Sequence, residues 1–73
     1  MNPNKPLISF VKTRRTQLGL TQEQLAERAG VGLRFIRDLE QGKKSLQLDK
    51  VNQVLLLFGY TMGPIPIKDR DEL

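Results

Sequence analysis

The chain has no cysteine, no histidine and no tryptophan. Without cysteine there are no disulfide staples and no thiolate metal sites. Without histidine the commonest metal ligand is gone, and so is the one side chain that titrates near neutrality unaided. Glycine is present, but Gly30-Val31-Gly32 is a bare G-x-G that lacks the strand and third glycine of a nucleotide fingerprint. No enzyme, no cofactor and no metal site is expected. Long apolar runs are missing as well. The longest, Val54 to Phe58, is far short of the roughly 20 residues that span a bilayer. The N-terminus carries no apolar run of signal-peptide length. The expectation is a cytoplasmic protein with no membrane partner. The terminal Arg70-Asp71-Glu72-Leu73 resembles an ER-retention tail, but no secretory signal delivers it to a receptor, so it is read as coincidence.

What remains is small and basic. Seventy-three residues, opening on Met1, read as one domain and as a whole gene product. The hydrophobic share of 38% allows a compact but thin core. Cores in chains this short rarely supply more than about 3–5 kcal/mol and usually need a staple or a partner. With covalent staples excluded, a second copy of the chain is the expected staple. Twelve Lys and Arg oppose eight Asp and Glu, a net charge of +4. Met1 to Leu20 holds Lys5, Lys12, Arg14 and Arg15 and no acid, whereas the tail from Lys68 leans acidic. A basic balance points to a polyanion partner.

Periodicity divides the chain into an all-α bundle of four short helices with a C-terminal extended segment. Residues 1–6, with Pro3 and Pro6, read as a flexible arm. From Leu7 the residues Ile8, Val11, Arg15 and Leu18 share one helix face, and Gly19 ends the helix. Thr21 to Ala29 forms the second helix, opened by a Thr21–Gln24 capping box and stopped by Gly30. Leu33 to Gln41 forms the third, stopped by Gly42, and Leu48 to Phe58 the fourth, stopped by Gly59. Residues 7–59 make the domain. Residues 60–67 are extended because Pro64 and Pro66 forbid helix, and 68–73 are a polar tail.

Two short helices joined by Gly30-Val31-Gly32 make a helix-turn-helix. Ala26 supplies the small residue where the helices touch, Gly30 the left-handed turn, Val31 an apolar plug and Ile36 the anchor of the second helix. The run RRTQLGLTQEQLAERAGVGLRFIRDLEQGK resembles the phage-repressor/Cro-like (XRE) helix-turn-helix family, over Leu7 to about Phe58. More narrowly, AGVGLRFIRDLEQGK followed by LDKV is similar to HipB-like antitoxins. The resemblance implies a small dimeric repressor that binds its own operator and a HipA-type kinase toxin.

Residue roles follow from both sources. At 100° per residue, Leu39 and Glu40 fall within about 60° of Ile36, while Arg34, Arg37, Asp38 and Gln41 gather opposite. Recognition helices contact bases mostly through their N-terminal half. The base-reading candidates are therefore Gly32, Leu33, Arg34, Arg37, Asp38 and Gln41. Arg suits guanine, and Leu33 suits a thymine methyl. For Thr21 and Gln22 the resemblance implies a phosphate grip, which amides at a helix N-terminus favour independently. Lys43, Lys44 and Ser45 follow the third helix as further phosphate contacts, with Lys5 and Lys12 as others of the kind. The resemblance also implies an ion pair between Arg15 and Glu40, two charges that the period places inward.

The expected dimer interface comprises Leu56, Leu57, Tyr60, Met62, Ile65 and Ile67. Leu56 and Leu57 lie roughly 110–150° away from the core face of the fourth helix. In HipB-like proteins the segment equivalent to 60–67 pairs across the two-fold. Here Pro64 and Pro66 restrict such pairing to some residues. A dimer would read a pseudo-palindromic operator of double-stranded DNA. The acidic tail and Phe35, expected to be exposed, are the surfaces assigned to a toxin. The alternative function is a stand-alone phage-type or restriction-controller repressor with no toxin partner.

Overall fold

The computed structural model describes residues 4–66. Among these the fold is all-α, with α1 spanning Lys5–Gln17, α2 Gln22–Ala29, α3 Leu33–Glu40 and α4 Leu48–Leu57. Helix α1 starts two residues earlier than the period from Leu7 suggests, because Pro6 occupies the first turn, where a missing N–H costs nothing. Lys5 and Pro6 are therefore helical rather than part of an arm, and residues 1–3 lie outside the described residues.

Helix α2 begins on the full capping box. The Gln24 amide donates to Thr21 Oγ1 at 3.0 Å, and the Thr21 amide donates to Gln24 Oε1 at 2.9 Å. It ends at Gly30, whose φ of 75° lies in the left-handed region that costs other residues roughly 1–2 kcal/mol. The reversal lets the amide of Val31 return to the carbonyl of Ala26 at 3.0 Å. Val31 is thereby turned inward against the core, and only Gly32 separates it from α3.

The core is centred on Val11, Leu25, Ile36, Leu39 and Val54, which are fully buried, one or two from each helix. Ala26 is buried between α2 and its neighbours, where a larger side chain would push the helices apart. Phe10 of α1 closes the far end, edge-on to Phe58 at 6.0 Å between ring centroids and to Tyr60 at 4.6 Å.

Some residues sit differently from the periodic reading. Leu18 is 57% exposed. The chain turns at α1's end, so Leu20 rather than Leu18 drops into the core. Phe35 is half-buried and packs on the core rather than standing free. Residues 60–66 carry no strand. They leave α4 through the Tyr60 ring on Phe10 and through a bond from the Met62 amide to Asn52 Oδ1 at 2.9 Å. No helix of the described residues is long and apolar enough to cross a membrane.

Candidate nucleic-acid interface

The outer face of α3 follows from its inner one. Ile36, Leu39 and Glu40 are buried, so Arg34, Arg37 and Gln41 must face outward, and they are exposed. With Asp38 they surround a shallow recess of about 270 Å³. Asp38 is half-buried although it points away from the core, and the Lys43 ammonium lies 3.6 Å from its carboxylate. Leu33 is half-buried against the core. It stands about 60° from Ile36 around the helix, as far inward as Leu39, so only part of it faces out. Gly32 is exposed at the start of α3, with nothing within 4 Å of where a Cβ would sit.

The buried side of α3 is held by charge. The Arg15 guanidinium meets Glu40 with two bonds, Nε to Oε2 at 2.8 Å and Nη2 to Oε1 at 3.1 Å. Its third nitrogen, Nη1, donates to the carbonyl of Leu20 at 2.8 Å. Gln22 Nε2 adds a bond to Glu40 Oε1 at 3.0 Å. One buried carboxylate thus joins α1, the start of α2 and the end of α3, and the arginine it holds adds the link after α1. The Glu40 side chain is only 3% exposed, and these partners are what make burying its charge tolerable.

Lys43, Lys44 and Ser45 are exposed in the loop after α3. Gly42, with a φ of 87°, turns the chain so that the amide of Lys43 returns to the carbonyl of Asp38 at 3.0 Å. This carries the loop back beside the outer face of α3. Gly32, Arg34, Lys43, Ser45, Gln47 and Lys50 line a second recess of about 380 Å³. Lys50 and Gln47 were not legible as site residues, since the period of α4 does not reveal where its first turn points relative to α3. Thr21 is exposed at the start of α2 on the same end of the molecule as Gln22. Lys5 and Lys12 are exposed on α1. Leu56, Leu57, Tyr60, Met62 and Ile65 are all exposed apolar side chains. Ile67 lies outside the described residues, as does the acidic tail.

The sequence comparisons agree with this geometry. A helix-turn-helix family model matches residues 11–65. An uncharacterized HTH-type transcriptional regulator of Sinorhizobium fredii is 51% identical over 51 residues, 70% of this chain and 67% of that protein. Another, from Haemophilus influenzae, is 34% identical over 62 residues, 85% of this chain and 63% of its own length. A third, from Methanothermobacter thermautotrophicus, is 39% identical over 51 residues, 70% of this chain and 74% of its own. No solved structure gave a significant match. The matched stretch takes in α2, its glycine turn, α3 and the loop beyond it, and the chain belongs to the helix-turn-helix family of phage-repressor type.

Proposed function

We propose that the chain is a sequence-specific transcriptional repressor that binds a pseudo-palindromic DNA operator as a homodimer. The observation that carries this reading is α3: one side clamped through Glu40, the other presenting Arg34, Arg37 and Gln41 to solvent. A rigidly held helix with long, planar donors is suited to the major groove, where Arg bonds guanine O6 and N7. Gln22 keeps a second amide hydrogen beyond the one given to Glu40, which suits it to a phosphate oxygen beside Thr21. Lys43 and Ser45 stand next to the reading face as phosphate contacts, Lys50 joins them, and the exposed Lys44 lies between Lys43 and Ser45 in the same loop. The names of the relatives, HTH-type transcriptional regulators, support the regulatory role.

The test is a titration of a labelled duplex, cut from the DNA upstream of the coding sequence, over a series of salt concentrations. Affinity should fall steeply as salt rises, with a slope of about −0.9 per phosphate contact. The upstream duplex should also bind far more tightly than a random one. A flat salt response, or equal affinity for both duplexes, overturns the reading.

The role as antitoxin to a HipA-type kinase rests on the resemblance of AGVGLRFIRDLEQGK and LDKV to HipB-like proteins. Co-expression with a kinase-like neighbouring gene tests it. Rescue of growth and co-purification support the antitoxin; a neighbour of another kind favours the stand-alone repressor.

A further inference from the structure

Asn4 stands immediately before α1, at the position whose side chain ordinarily caps the helix, yet it makes no cap bond. A capping side chain accepts from the second or third amide of the helix. The second helical residue here is Pro6, which has no amide hydrogen to give. The Asn4 side chain instead reaches across the molecule. Its Nδ2 donates to the carbonyl of Lys44 at 3.2 Å and to the carbonyl of Lys43 at 3.4 Å, some 40 residues away. The backbone of Asn4 still serves the helix, its carbonyl accepting from the amide of Ile8 at 2.9 Å.

Those two carbonyls belong to the residues assigned to phosphate. Fixing two successive peptide planes fixes the directions in which the Lys43 and Lys44 side chains leave the backbone. The loop is already held at its start by the Lys43 amide on Asp38 and beyond Ser45 by Leu46 on the core. Asn4 holds the stretch between. The geometry points to Asn4 as a latch that positions Lys43 and Lys44 for the DNA backbone, so that the start of α1 controls phosphate engagement after α3. Asn suits the task because one short neutral amide carries two donor hydrogens. Serine offers one and alanine none. The role rests on the DNA-binding reading above and adds a positioning residue to it.

The test uses the full chain and its Asn4→Ala variant. Asn4 is half-buried and its side chain makes no cap bond, so the variant should still fold, with a melting temperature at most slightly below wild type. In the free protein, backbone relaxation at Lys43, Lys44 and Ser45 should show increased mobility. With the upstream duplex, affinity should fall about twofold to tenfold, as for one ordinary hydrogen bond, and the salt slope should become shallower. In a Lys43→Ala, Lys44→Ala background, Asn4→Ala should cost no further affinity, because the residues it positions are gone. Unchanged loop mobility, or a full additional loss in the lysine-free background, overturns the latch. A wild-type protein that binds the duplex without salt dependence overturns the DNA reading and, with it, the latch's purpose. The loop mobility of the free protein, measured without DNA, tells that failure apart from failure of the latch itself.

Discussion

Glu40 ties three helices together, since three side-chain bonds from α1 and α2 converge on its one buried carboxylate. Removing its charge leaves the Arg15 guanidinium without its counter-ion. Breaking one partner of a buried pair costs about 3–5 kcal/mol. A 73-residue domain holds roughly 4–11 kcal/mol in total, at about 0.05–0.15 kcal/mol per residue. Glu40→Gln should therefore remove a large part of the stability, read as a fall in urea midpoint at constant slope. Replacing both partners, Arg15→Met with Glu40→Leu, should be milder than the single change, because no charge is left stranded. A double variant as unstable as Glu40→Gln would mean that the remaining bonds to Leu20 and Gln22 matter more than the charge. On the outer face the two kinds of cation should separate in a different assay. Arg34→Ala or Arg37→Ala should cost the upstream duplex about 1–3 kcal/mol, roughly 5- to 150-fold, while changing random-duplex binding much less. Lys44→Ala should weaken both alike and reduce the salt slope by about 0.9. Equal losses on both duplexes for Arg34 and Arg37 would remove them from base reading.

At the scale of elements, the α2–turn–α3 unit is set by local chemistry, and so it is the part most legible in the sequence. The capping box fixes where α2 starts, and Gly30 fixes where it stops and which way the chain turns. The nearest atom to a Cβ at Gly30 would be Gln53 Nε2 at 3.7 Å, an ordinary contact. The cost of Gly30→Ala is therefore backbone strain, about 1–2 kcal/mol, and the unfolding midpoint should fall accordingly without loss of helix content. A larger loss, or a change in DNA preference, would mean that the turn's geometry itself had shifted. What the sequence hid lies where two elements meet. Leu18 fits the apolar period of α1, but the chain turns after it and hands its place to Leu20. Leu33, a base-reading candidate from its place at the start of α3, lies about 60° from Ile36 and is half-buried against the core, so only part of it faces out. Asn4 has the composition of an arm residue or a cap, and nothing local reveals bonds to carbonyls 39 and 40 residues away. The resemblance implies the Arg15–Glu40 pair, and the helical period adds only that both charges face inward, where each needs a partner. The added bond from Gln22 depends on how α2 is set against α3, which no single helix period contains.

The whole molecule carries an imbalance that no internal contact among the described residues corrects. Leu56 is 74% and Ile65 82% exposed, and Tyr60 and Met62 are about half exposed. These exposed apolar side chains lie along the chain's exit from the bundle, on the end of α4 and the extended segment that follows it. The same region holds a groove bordered by Leu7, Phe10, Leu55, Tyr60, Met62 and Ile65. A thin core and an apolar exit are together what a homodimer would resolve, and a dimer would place two reading helices for one palindrome. If this is the interface, the wild-type melting temperature should rise with protein concentration, because association stabilises only the folded state. Leu56→Glu and Ile65→Glu each place a charge on an exposed side chain, so neither should damage the monomer's core. Each should shift sedimentation equilibrium toward the monomer and abolish the concentration dependence of melting. Affinity for a full palindromic duplex should then drop toward that for a half-site, while the salt dependence of each half-site contact persists. Variants that remain dimeric and bind the full site as wild type does would place the two-fold elsewhere, and the apolar exit would then need a partner other than this chain.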